Sequence, residues 1–131
     1  MSLERYRSMI FMTKERSILI NIRCAQNILL LTHINPDGDT IGCVAAFYFL
    51  IKLLDQHKNI KILAQENFND NVKYKFLNLP QNIVAMDINK EELNKMDLII
   101  ACDCGEVSRT PLGAISRNNK CSIINIDHHR N

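Results

Sequence analysis

The apolar positions of this chain fall into two kinds of run. Ile18, Leu19, Ile22 and Ala25 recur at helical spacing, with Lys14, Glu15, Arg16 and Arg23 largely off that stripe. Residues 14–26 are therefore predicted to form an amphipathic helix covering one side of a sheet. Short, nearly unbroken apolar stretches at residues 27–32, 60–65, 82–86, 97–103 and 122–126 read instead as strands. Helical segments are expected between them. Residues 41–55 are apolar almost all round, which predicts deep burial. A short helix with Val72, Phe76 and Leu77 on one face ends at Pro80, and residues 90–95 give a turn or two. Residues 106–117 read as a helix that Pro111 weakens in its middle. Strands that alternate with helices imply an α/β fold of three layers, with a mostly parallel sheet of about five strands and right-handed crossover helices.

Composition narrows this only a little. At 131 residues and 47% apolar content, the chain allows one ordinary domain with a real core, and no repeat, linker or low-complexity tract divides it. The net charge is +2; residues 1–23 hold a local +3 and the remainder −1, so no basic stripe marks a nucleic-acid groove. The five cysteines form no CxxC pair, which argues for reduced thiols and a cytoplasmic protein. Cys102 and Cys104 flank Asp103 and are expected to point together to the face opposite it, as small core fillers. His57 reads as a solvated residue near a helix end. No run approaches the ~20 apolar residues that span a membrane, and the first residues lack a signal-peptide pattern.

The chemistry concentrates in one stretch, His33-Ile34-Asn35-Pro36-Asp37-Gly38-Asp39-Thr40-Ile41-Gly42. His33 stands where an apolar strand ends, and Pro36 and Gly38 force a turn. One imidazole and two carboxylates thus meet at the mouth of a strand-to-helix turn, where ligands bind in open α/β sheets. Crowded carboxylates repel and need positive charge, and this donor set suits Mn²⁺ or Mg²⁺ better than a thiolate-seeking ion. Two further strands end in ligand-type residues: Asp103, and Asp127-His128-His129. Each cluster alone has an ordinary reading, as a turn, a helix cap or an exposed chain end. Six or seven such side chains on one rim exceed the needs of one ion. Two ions about 3.5–4 Å apart, sharing a carboxylate, would use them all and suit displacement at phosphorus. A haloacid-dehalogenase-type motif fails because Asp37 lies too far beyond the strand and Ile41 stands at the Thr position. An EF-hand fails because Tyr48 occupies its twelfth position.

The stretch from His33 to Gly42, Asp103-Cys104-Gly105 and Asp127-His128-His129 together resemble the first three motifs of the DHH phosphoesterases. That family includes RecJ exonucleases, nanoRNase/pAp phosphatases, cyclic-di-AMP phosphodiesterases and family II inorganic pyrophosphatases. The resemblance implies His33, Asp37 and Asp103 on one Mn²⁺, and Asp39, Asp103 and His128 on the other. It implies a catalytic role for His129, facing the substrate phosphate, and for Asp127, orienting the histidine pair. Arg109 is a further candidate for phosphate contact, with a solvated helix arginine as the alternative. Family members continue to a fourth motif and a C-terminal substrate-binding domain. Residues 1–131 therefore correspond to the N-terminal part of a DHH domain, a fragment expected to be inactive alone. The implied substrate of the full-length enzyme is a short oligoribonucleotide or a small nucleotide such as pAp. A RecJ-type exonuclease on single-stranded DNA and an inorganic pyrophosphatase are the enzymatic alternatives, and a nucleotide-binding sensor is the non-enzymatic one. The resemblance also allows a homodimer of the full-length protein.

Overall fold

A computed structural model of the chain describes residues 13–105, 112 and 121–128. The predicted helix at residues 106–117, with Arg109 and Pro111, lies outside them, as does His129. Helix α1, Lys14–Cys24, starts where the Thr13 side chain accepts the Arg16 N–H at 3.2 Å. It buries Ile22 completely against the sheet. Strand β1, Asn27–Leu31, follows, and Ile28 to Leu31 are all fully buried. Each such side chain contributes about 1.5–3 kcal/mol relative to leaving it in water.

The chain continues through helix α2 (Gly38–Leu54), strand β2 (Asn59–Leu63), two 3₁₀ turns (Phe68–Asp70 and Val72–Leu77) and a two-residue strand β3 (Val84–Ala85). Helix α3 (Lys90–Asn94), strand β4 (Leu98–Cys102) and strand β5 (Ser122–Ile126) complete the described elements. All five strands are parallel, in the order β3-β2-β1-β4-β5. The α/β architecture with a parallel five-strand sheet, expected from the alternation of elements, is what the chain adopts. Alternate residues of each strand feed two cores. Ile28, Leu30, Ile62 and Ile100 pack with Ile22 of α1 and Ile41, Val44 and Ile51 of α2. Leu29, Leu31, Leu63 and Ile99 pack on the other face with Leu93 of α3 and with Leu112.

Three local expectations are corrected. Helix α2 begins at Gly38 rather than Ile41, because Asp37 caps it. It is not buried all round either: Thr40, Ile41, Val44, Ala45, Tyr48 and Ile51 are buried, while Phe49 and Leu53 are exposed. The segment with Val72 and Phe76 is a 3₁₀ turn in which those two side chains face out, and Tyr74 and Leu77 are the ones packed against the core. The side chains eclipse every three residues there, so a stripe read at the α-helical period points the wrong way.

Register places the site. Leu31 of β1 pairs with Ala101 of β4, and Cys102 of β4 pairs with Ile126 of β5. The residues that follow these strands therefore emerge side by side at one rim. No described helix is long and apolar enough to cross a membrane.

Candidate metal centre

Beyond β1, Thr32 is fully buried and His33 turns up at the rim, half-buried. Asn35 adopts φ 56°, a left-handed conformation that asparagine tolerates better than most residues, and its N–H is held by Gln65 Oε1 at 3.0 Å. The turn delivers Asp37 to the N-cap of α2, where Oδ1 accepts the Thr40 N–H at 3.0 Å. Asp39 falls in the first helical turn, where the helix dipole favours a negative charge. The Thr40 amide, opposed in part by burial and aided by the Thr40 side chain and His33, holds the Asp37 carboxyl below its ordinary value of 3.8.

Asp103 is the centre of the arrangement. It is only 7% exposed and has φ 56°, so the chain leaves the extended conformation of β4 at this residue. Its N–H donates to Ile126 O at 2.7 Å, tying the end of β4 to the end of β5. The same break corrects the expectation for its neighbours: Cys102 packs in the core under α1 and α2, whereas Cys104 packs in the opposite one. Both are buried core fillers, as expected, but on different faces.

The carboxylate of Asp103 reaches both sides. Oδ2 lies 3.9 Å from His33 Nε2, which is itself 3.8 Å from Asp37 Oδ1. Oδ1 lies 2.9 Å from Nε2 of His128, which follows β5. Two groups result, His33 with Asp37 and Asp103, and Asp39 with Asp103 and His128; within each, one donor atom per residue lies within 4.8 Å of the others. Asp127 is half-buried, one residue past the Cys102–Ile126 pair. His129 and Arg109, the sequence-based candidates for phosphate contact, lie outside the described residues.

These donors fit divalent cations. Donors to one ion at roughly 2.0–2.3 Å stand about 3–4.5 Å apart, and the His33–Asp37, His33–Asp103 and His128–Asp103 pairs stand at 3.8, 3.9 and 2.9 Å. His33 Nδ1 lies 2.6 Å from the Ile34 carbonyl, so this nitrogen is the donor there and Nε2 is the one turned to the carboxylates. A metal-binding histidine uses its second nitrogen in the same way. The two thiols flanking Asp103 take no part: burial, with the Asp103 and Asp127 charges behind it, pushes Cys104 up to about 12. Contact with Cys43, then burial, raises Cys102 also. Both stay protonated at neutral pH, leaving oxygen and imidazole donors, the set that suits Mn²⁺ or Mg²⁺.

Thr40 is the site residue that sequence reasoning missed. It is fully buried, and its Oγ1 donates to Asp103 Oδ2 at 3.1 Å. The only signal for it was a hydroxyl in the first turn of a helix leaving the motif.

Comparison with known proteins agrees with this geometry. Residues 27–131 match the family described as DHH family, N-terminal domain. The bifunctional oligoribonuclease and PAP phosphatase NrnA of Mycoplasma genitalium is 27% identical over 111 residues, covering 84% of this chain and 32% of that protein. The crystal structure of an exopolyphosphatase-related protein from Bacteroides fragilis superposes with a TM-score of 0.66 at 21% identity, over 86% of this chain and 34% of that one. The chain thus spans about a third of the length of either relative.

Proposed function

The chain belongs to the DHH family, and from that premise we propose that the protein it forms part of is a Mn²⁺-dependent phosphoesterase. Its substrates in this reading are short oligoribonucleotides or small nucleotides such as pAp. The observation that carries the proposal is the pair of three-residue groups sharing the Asp103 carboxylate. His33, Asp37 and Asp103 would hold one cation; Asp39, Asp103 and His128 would hold the other. Bound there, two divalent cations supply Lewis acidity toward a phosphoryl group and lower the pKa of water.

The side chains of this chain do the rest. The Ile34 carbonyl fixes the His33 tautomer, the buried end of β4 holds Asp103, and Asp127 orients the histidines that follow it. His129 and Arg109 contact the substrate phosphate. The near-neutral charge of the chain favours a small substrate over a long nucleic acid, whose binding would call for many phosphate contacts. The oligoribonuclease and PAP phosphatase named above is a relative of matching substrate class.

The test uses full-length protein with Mn²⁺, offered pAp, a diribonucleotide, pyrophosphate and long single-stranded DNA. Release of phosphate from pAp and of mononucleotides from the diribonucleotide is expected, and Asp103→Asn should abolish both. Hydrolysis confined to pyrophosphate or to DNA would overturn the substrate class. Nucleotide binding with no hydrolysis of any of the four would favour a sensor.

A further inference from the structure

We propose that Thr40 is a positioning residue that fixes the plane of the Asp103 carboxylate, so that one of its oxygens faces each cation group. The inference rests on reading the two groups as cation sites.

Thr40 bonds to two of the acidic side chains at once. Its N–H donates to Asp37 Oδ1 at 3.0 Å and its hydroxyl donates to Asp103 Oδ2 at 3.1 Å. A threonine in a helix ordinarily turns its hydroxyl back to the carbonyl one turn earlier. Here the hydroxyl spans 63 residues of sequence to reach a buried carboxylate. The geometry gives this bond a purpose. The terminal torsion of an aspartate is broad and nearly two-fold, so Asp103 does not by itself hold one carboxylate orientation. Its Oδ1 stands toward His128 and its Oδ2 toward His33. Rotation about that torsion would turn both oxygens away from their groups together. A hydroxyl fixed to the helix that carries Asp37 and Asp39, bonded to one of the two oxygens, stops this rotation. It also ties that helix to the end of β4. Thr40 thereby sets the spacing between the groups as well as the ligand angle.

Packing alone predicts something different. Were Thr40 only a filler, replacing it with valine would change stability and leave ion binding as it was. The experiment is a Mn²⁺ titration of the full-length protein, followed by electron paramagnetic resonance, which reports both the ions bound and the magnetic coupling between neighbouring ions. The wild type should bind two ions with a coupled spectrum. Thr40→Ser, which keeps the hydroxyl, should match it. Thr40→Val should lose the coupling and bind the pair about tenfold more weakly or worse, as befits loss of a bond to a charged acceptor. Thr40→Ala, with no β-branched bulk to accommodate, carries the same expectation should the valine variant fail to fold. Wild-type coupling and affinity in a folded Thr40→Val or Thr40→Ala chain would overturn the positioning role alone. Failure of the wild type to bind Mn²⁺ would overturn the cation sites, and the positioning role with them.

Discussion

A single oxygen, Asp37 Oδ1, both caps helix α2 through the Thr40 N–H at 3.0 Å and faces His33 Nε2 at 3.8 Å. Fold and site therefore share one atom, and two substitutions separate its two roles. Asp37→Ala removes the cap and should cost about 1 kcal/mol of stability without metal. Asp37→Asn keeps a capping oxygen and should melt close to the wild type, yet bind Mn²⁺ as poorly as the alanine variant. Urea unfolding beside calorimetric Mn²⁺ titration reads both quantities, and a wild-type melt for Asp37→Ala would show the cap to be idle.

Asp103→Asn should split in the same sense as Asp37→Asn, and more sharply. Asparagine accepts the left-handed conformation, and its carbonyl can still take the Thr40 hydroxyl. Loss of a charge near Asp37 and Asp39 relieves repulsion. Without metal the variant should be at least as stable as the wild type. With Mn²⁺ it loses the carboxylate shared by both groups; since loss of a supporting partner alone costs 10–100-fold, affinity should fall by more than about 100-fold. A marked fall in the metal-free melting temperature would assign Asp103 to the fold instead.

Glu92 of α3 lies 3.0 Å from Lys61 Nζ on β2, and that bond, followed by the lysine charge, holds its carboxyl below 4.5. A carboxylate depressed in the folded state stabilises fully above its unfolded value, and the gain fades as pH falls through the lower folded value. Glu92→Gln should therefore be slightly less stable than the wild type at pH 7 and indistinguishable from it near pH 3. The effect is small because the pair is solvated. Urea midpoints at the two pH values decide; a difference that grew toward acid would contradict the sign.

Thiol labelling should follow burial. Cys24 is exposed and Cys43 half-buried, whereas Cys102, Cys104 and Cys121 are buried. Under native conditions Ellman's reagent should titrate Cys24 quickly and Cys43 slowly, with the other three reacting only on unfolding. Rapid reaction of Cys104 would contradict its place in the core beside Leu31 and Ala101.

Strand existence, parallel pairing and the shared rim were legible because uniformly apolar runs such as residues 28–31 and 98–102 fit only a doubly covered sheet. The convergence of His33, Asp103 and His128 followed from the same runs, each ending in a polar residue in the same sense. What escaped the sequence was set by single torsions and by partners far along the chain. The left-handed turn at Asp103 sends Cys104 to the opposite core, which no alternation rule anticipates. The start of α2 depended on which residue of the Asp-Gly-Asp turn became the cap. Helix α2 is apolar on every side, so composition alone did not reveal that Phe49 and Leu53 face outward. Thr40 was hidden because its partner, Asp103, lies 63 residues further along the chain, just past β4.

The order of the motifs along the chain also bears on biosynthesis. A polypeptide leaves the ribosome from its N-terminus, and the group of His33, Asp37 and Asp103 is complete as soon as β4 has paired with β1. The group of Asp39, Asp103 and His128 needs β5 as well, which is made after β4. With the two groups read as the proposed cation sites, the first would be formed before the second exists. Since both share Asp103, an ion in the first would already have the carboxylate in place when His128 arrives.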